Sequence, residues 1–223
     1  MPNHHLDAAF RSSKHNECYV FVKQRFMVVN YAPGEKKGKI IHSPIHISDG
    51  FPFLERTPFE NVIDCAFETD GNQAFIFSGN QCAKIDYAPD SKNAKLLDGP
   101  APIATLFPCL RGLVLANGVD AAIRGPGNHV FLFKGDQYAR IDYHSKTLIT
   151  NYSIRDGFKS LVGTVFESGI DAAFASHVKD QAYIFKGEYY ARIDISFSGD
   201  FIVNGRVKIF YDNWSGLHSI IKY

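Results

Sequence analysis

Four aspartates, Asp7, Asp64, Asp120 and Asp171, recur 57, 56 and 51 residues apart, each between an aliphatic residue and a run of small ones. Their settings are Leu6-Asp7-Ala8-Ala9-Phe10, Ile63-Asp64-Cys65-Ala66-Phe67, Val119-Asp120-Ala121-Ala122-Ile123 and Ile170-Asp171-Ala172-Ala173-Phe174. If equivalent strands begin at these aspartates around one axis, their main-chain carbonyls stand at one level. An all-oxygen set without thiolate or imidazole suits a hard cation such as Ca²⁺. The carboxylates offer a second chemistry, because four like charges around one mouth attract a linear polyamine. A plainer role competes with both: an aspartate beside a turn accepts hydrogen bonds from backbone amides.

Other chemistry-bearing residues form no such pattern. The nine histidines (His4, His5, His15, His42, His46, His129, His144, His177 and His218) include no Cys-x-x-Cys-His run, so any haem is held non-covalently. His4 and His5 stand just before the first repeat, close to one end of the axis. Cys18, Cys65, Cys82 and Cys109 lack Cys-x-x-Cys pairs and metal spacing, and read as free, mostly buried thiols. The chain has no Gly-x-Ser-x-Gly elbow, phosphate loop or His-Glu-x-x-His pair, so a binding protein rather than an enzyme is expected.

The elements that must position the aspartates follow from a second recurring signature. Cys18 to Tyr31, Ala74 to Tyr87, Val130 to Tyr143 and Ala182 to Ile195 each read strand, short turn, strand, clearest in Phe133-Lys134-Gly135-Asp136-Gln137-Tyr138-Ala139-Arg140-Ile141-Asp142-Tyr143. A third signature, Ile47 to Leu54, Ile103 to Leu110, Ile154 to Leu161 and, degenerate, Ile209 to Leu217, reads as a short helical turn after a fourth, outer strand. One such sheet cannot cover both of its faces. Repeats of this length with several strands per unit are the pattern of propeller blades. The expected fold is all-β, a single-domain four-bladed β-propeller, each blade a four-stranded antiparallel sheet with a short helix. The blades run about 4–57, 58–113, 114–165 and 166–223. The alanines suit crowded inner strands, and the phenylalanines and tyrosines fill the wedges between blades.

Composition bounds the partners. The 223 residues carry 24 Lys+Arg against 23 Asp+Glu, a net charge of +1, which gives no electrostatic footprint for nucleic acid or an anionic membrane. No run approaches the length of a spanning helix. At 45% hydrophobic and 14% aromatic, the chain has ample material for a core. The first residues lack the charged and apolar regions of a secretory signal, as would those of a mature secreted chain. The sequons Asn151-Tyr152-Ser153 and Asn213-Trp214-Ser215 matter only in the secretory case.

The pairing of Asp-Ala-Ala-Phe with Phe-Lys-Gly-Asp-Gln-Tyr-Ala-Arg-Ile-Asp-Tyr resembles hemopexin-like repeats. Over residues 6 to 221 the chain is similar to the legume-seed albumin 2 family, including at Tyr31-Ala32-Pro33 and Tyr87-Ala88-Pro89. The resemblance implies channel calcium on the main-chain oxygens of Asp7, Asp64, Asp120 and Asp171. It implies sodium and chloride further in, near Ala9, Ala66, Ala122 and Ala173. It implies spermine at the same aspartates and hemin at a site the sequence does not place, the two ligands exclusive, as in a ligand-switched sensor linked to oxidative stress or polyamine metabolism. It also implies a homodimer in ligand-dependent equilibrium with the monomer. Extracellular hemopexin domains join first and last blades by a disulfide, whereas residues 166–223 contain no cysteine. Closure is then non-covalent, which agrees with the cytosol of seed cells. A carbohydrate-binding, lectin-like role and plain seed storage are the competing readings.

Overall fold

The computed structural model describes residues 5–33, 38–89, 91–196, 200–205, 207–209 and 214–221; His4 and Asn213 lie outside them. Period-two alternation gives four antiparallel sheets, each laid down in chain order from its first strand outward. The first holds β1 (Ala8–Arg11), β2 (Glu17–Val22), β3 (Arg25–Asn30) and β4 (Lys39–His46). The second holds β5 (Cys65–Glu68), β6 (Gln73–Ser78), β7 (Gln81–Asp86) and β8 (Lys95–Pro102). The third holds β9 (Ala121–Arg124), β10 (His129–Lys134), β11 (Gln137–Asp142) and β12 (Thr147–Ser153). The fourth holds β13 (Ala172–Ala175), β14 (Gln181–Lys186) and β15 (Tyr189–Asp194), and its outer strand is two short pieces, β16 (Phe201–Ile202) and β17 (Lys208–Ile209), both paired with β15. Each of β1, β5, β9 and β13 lies against two others, β1 against β13 included, so the inner strands close a ring and the sheets form a four-bladed propeller.

The central hairpins all turn on two residues, the first at positive φ: Lys23 at 50°, Gly79 at 53°, Gly135 at 54° and Gly187 at 52°. Three are glycine because that conformation costs glycine little. The third strands stop by a shared device. Asn30, Asp86, Asp142 and Asp194 each accept the amide two residues on, at 2.9 to 3.0 Å, forming an Asx turn.

Packing between blades is a repeated fit of a bulky face against a slim one. Phe10, Tyr19, Phe21 and Phe26 of the first sheet meet Ala66, Ala74, Ile76, Ala83 and Ile85 of the second. Phe67, Phe75 and Phe77 meet Ala122, Val130, Leu132, Ala139 and Ile141. Phe131, Phe133 and Tyr138 meet Ala173, Ala182, Ile184, Ala191 and Ile193. Phe174, Tyr183, Phe185 and Tyr190 close the ring on Ala9, Cys18, Val20, Met27 and Val29. The alanines after each aspartate thus serve these seams. The turns Ile47–Gly50, Ile103–Leu106, Ile154–Gly157 and His218–Ile221 each plug the seam to the next blade, with Trp214, Leu217, Ile220 and Ile221 on the closing one. Degeneracy in the last repeat leaves the helical turn at 215–221, just past the expected position.

Size matching is local. The position opposite Phe26 is Gly50 and that opposite Tyr138 is Gly157, whereas blade 2 pairs the smaller Cys82 with Leu106. A Cβ on Gly157 would fall 2.0 Å from the Tyr138 hydroxyl oxygen. Gly157→Ala will therefore lower the urea unfolding free energy by about 1–3 kcal/mol. Adding Tyr138→Cys, the small residue of blade 2, will return part of that loss.

Three seams are also stitched by tyrosine hydroxyls reaching the loop after a neighbour's first strand. Ser13 N–H donates to Tyr87 Oη at 2.8 Å, and Tyr143 Oη lies 3.5 Å from Asp70 Oδ2. On the closing seam His177 N–H donates to Tyr31 Oη at 2.6 Å. Burial pushes the Tyr31 phenol up to about 12, so the hydroxyl stays protonated. The four cysteines are free, and Cys18, Cys65 and Cys82 are buried; closure is non-covalent among the described residues.

Candidate ligand-binding site at the channel mouth

Each aspartate precedes the first residue of an inner strand, and its own amide donates to the second strand: Asp7 to Phe21 O, Asp64 to Phe77 O, Asp120 to Phe133 O and Asp171 to Phe185 O, at 2.8 to 3.1 Å. That bond fixes each backbone at one end of the ring. The side chain then caps the central hairpin of its own blade. Asp64 Oδ2 accepts Gly79 N–H at 2.6 Å, and Asp120 and Asp171 accept Gly135 and Gly187 N–H at 2.8 Å each. Asp7 Oδ2 accepts Lys23 N–H in the same way. The turn-capping role is therefore real and fourfold, and it holds the carboxylates in place rather than hiding them.

All four aspartates line one recess of about 320 Å³, with His5, Leu6, Gly79, Asn117, Gly118, Val119 and Lys134. One is partly neutralised there, with Lys134 Nζ 2.6 Å from Asp120 Oδ1, and His5 Nε2 lies 3.1 Å from Asp7 Oδ1. Asp64 and Asp171 have no ion pair among the described residues. Sequence reasoning missed Lys134 as a resident cation of the mouth. Its signal was the lysine before the turn glycine in Phe133-Lys134-Gly135, repeated at Lys186, which instead donates to Ser168 Oγ at 2.9 Å.

Among the described residues no group of three or more His, Cys, Asp or Glu side chains is disposed to hold a metal. The carboxylates, each turned to its hairpin, do not form a cage. Ala9, Ala66, Ala122 and Ala173 lie one residue inside the strands, each 1% exposed. At the opposite ends of the inner strands the equivalent positions are Arg11, Glu68, Arg124 and Ala175. Arg11 Nη2 pairs with buried Glu68 at 3.0 Å, and burial pushes the Glu68 carboxyl up against the pull of Arg11 and Arg124.

Of the described histidines only His15 and His177 meet, their ring centroids 5.6 Å apart. His177 binds Tyr31 and Ser12, His129 Nδ1 lies 2.6 Å from Arg140 Nη2, and His46 Nε2 lies 3.2 Å from Arg25 Nη2. His5 alone of them borders the recess.

No family model matches the chain. Albumin-2 of Pisum sativum is 46% identical over 223 residues, covering 97% of this chain and 96% of that protein. The chain belongs to the albumin-2 family. Among solved structures, a hemopexin fold protein from cow pea is 45% identical with a TM-score of 0.93, covering 96% of this chain and 97% of that one. A plant lectin with two metal binding sites from Cicer arietinum is 47% identical with a TM-score of 0.95, covering 98% and 99%. The resemblance to hemopexin-like repeats and to legume-seed albumins is thereby established. Within the albumin-2 family these relatives are described as seed albumins or lectins rather than enzymes.

Proposed function

We propose that the protein is a non-enzymatic seed albumin whose acidic channel mouth binds a linear polyamine of the spermine type, and which binds hemin in competition with it. The observation that carries the polyamine is the convergence of four carboxylates on one recess, with Lys134 Nζ already occupying the position an ammonium would take against Asp120. Calcium on the carbonyls of Asp7, Asp64, Asp120 and Asp171 fits the all-oxygen donor set and would tie the four inner strands together. Sodium and chloride would sit deeper, at the level of Ala9, Ala66, Ala122 and Ala173. Exclusive ligands make the protein a sensor of polyamine or oxidative state. Free, buried cysteines support a cytosolic setting. Ile40, Ile41 and Ile45, exposed on outer strand β4, support pairing of two copies that hemin separates.

The test is a hemin titration followed in the visible spectrum, alone and with saturating spermine, with sedimentation of each state. The expected result is a saturable shift of the haem band that spermine abolishes, and a smaller particle with hemin than without. An unshifted spectrum overturns the hemin reading, and equal masses overturn the ligand-linked dimer. A second reading, carbohydrate binding, is favoured by the lectin relative and by Tyr152, 54% exposed on the rim. Haemagglutination blocked by a simple sugar supports it. Storage alone predicts neither result.

A further inference from the structure

Three seams are filled by a ring from each side. Tyr87 packs on Phe10 with centroids 5.0 Å apart, Tyr143 on Phe67 at 5.8 Å and Tyr31 on Phe174 at 5.0 Å. At the seam between the third and fourth sheets both rings are missing: Ile123 stands where the phenylalanine would be, and Ile195 where the tyrosine would be. The stitching donor has gone as well. The loop position that offers an N–H at Ser13 and His177 is Pro126 here, which has none.

Space is left on the Ile195 side of the seam, while Ile123 is fully buried. A cavity of about 220 Å³ lies beside Ile195, bordered by Phe131, Tyr138, Phe158, Arg140 and Thr150. The three rings pack on one another at centroid distances of 5.0 to 6.2 Å, so the wall is rigid and aromatic. Arg140 lies over the Phe131 ring, 5.4 Å from its centroid, and its Nη2 meets a histidine nitrogen rather than a carboxylate. Burial and the Arg140 charge, against the pull of Asp142, hold His129 below the usual histidine range, so that neighbour is a neutral imidazole. Among the described residues Arg140 Nε is buried with no hydrogen-bond partner, and Thr150 Oγ, beside the Tyr138 hydroxyl, makes no aligned hydrogen bond. Asp200 also borders the cavity, but its oxygens accept the amides of Lys159 and Ser160 and the Ser160 hydroxyl. A buried guanidinium N–H without an acceptor is costly, and a carboxylate is the acceptor that matches both its charge and its geometry.

We propose that this seam binds a small planar aromatic carboxylate. Its ring takes the space that tyrosine fills at the other three seams, and its carboxylate accepts Arg140 Nε–H and the Thr150 hydroxyl. The site is separate from the acidic channel mouth, so its success or failure is independent of polyamine binding there.

The test is calorimetric titration of the full chain with benzoate and 4-hydroxybenzoate, with benzamide as the uncharged control. Saturable one-site binding is expected for the acids, with benzamide weaker by at least about tenfold. Arg140→Gln should weaken benzoate by a similar factor. Ile195→Tyr, which restores the ring of the other seams, should abolish binding while the protein stays folded by circular dichroism. Should that variant unfold, Thr150→Val gives the second reading, an expected loss of severalfold. No saturable heat from either acid up to about 10 mM overturns the proposal. So does undiminished binding in Ile195→Tyr, or equal affinity for benzoate and benzamide.

Discussion

The unfolding free energy in urea will fall as the pH drops from 7 to 5, and a distinct part of that fall will disappear in His177→Gln. His177 is the rivet of the closing seam. Ser12 O can only accept, so His177 Nε2 carries the proton that it donates there at 3.1 Å, and Nδ1 accepts the Tyr31 hydroxyl at 2.7 Å. Both partners belong to the first blade and His177 to the fourth. Protonating Nδ1 would remove the acceptor that Tyr31 uses. Burial first, then the positive charge of Arg11 and the neighbouring His15, lower the imidazole from its usual 6.5 to about 4, against a smaller upward pull from the Ser12 and Lys14 carbonyls. The unfolded chain thus binds a proton near pH 6.5 that the folded chain refuses until about pH 4, so stability from this group is complete above 6.5 and is lost on descending to 4. The full shift corresponds to about 3 kcal/mol, and solvent screening of a half-buried ring reduces it to on the order of 1–2 kcal/mol. Urea melts at pH 7, 6 and 5 on both proteins decide the matter. Parallel pH profiles for wild type and His177→Gln would refute the assignment.

That rivet also marks the limit of what could be read from the chain. The repeats carried the fold because the devices that build a blade are local and recur: the aspartate that caps the hairpin and the Asx turn that ends the third strand in all four, and the glycine at positive φ and the isoleucine that opens the helical turn in three. Four copies of a weak signal made a strong one. The aspartates could be brought to one mouth on the same basis, since equivalent positions in a closed ring share a level. What departed from the repeat was harder to read. Lys134 and Lys186 occupy equivalent positions, yet one pairs with Asp120 and the other with Ser168, a choice made by residues from the preceding helical turns. The alternation of bulky and slim faces was legible only in part. Phenylalanines could be assigned to wedges, but that the small residues one past each aspartate, Ala8, Cys65, Ala121 and Ala172, pack sideways into seams depends on the radial setting of the sheets. Ile195 departs from the tyrosine of the other three repeats, yet only the three-dimensional seam sets it beside Phe131, Tyr138 and Phe158 of another repeat around one cavity.

Replacing Asp64 and Asp171 together by asparagine will lower spermine affinity by about 30- to 100-fold, and each single change by about 5- to 10-fold. These are the two carboxylates at the mouth with neither a lysine nor a histidine paired to them among the described residues. Each charge removed from a partly enclosed recess costs on the order of 1 kcal/mol of attraction, more than at a flat surface because the recess walls exclude water. Asparagine keeps an oxygen for the amides of Gly79 and Gly187, so the hairpin caps survive at a cost of about 0.5–1 kcal/mol each, and loss of binding can be told from loss of fold. Lys134→Gln works in the opposite direction. It removes the ammonium held 2.6 Å from Asp120 and leaves that carboxylate for the ligand, so spermine should bind about 3- to 10-fold more tightly. Added salt should narrow all of these differences, because the Debye length shrinks to about 3 Å at 1 M. The same double variant separates the two chemistries of the aspartates. If calcium rests on main-chain carbonyls, its stoichiometry at saturation is unchanged when the carboxylates become amides. Loss of calcium along with spermine would move the metal from the backbone to the side chains. Spermine affinity indifferent to both the double variant and Lys134→Gln would remove the polyamine from this mouth.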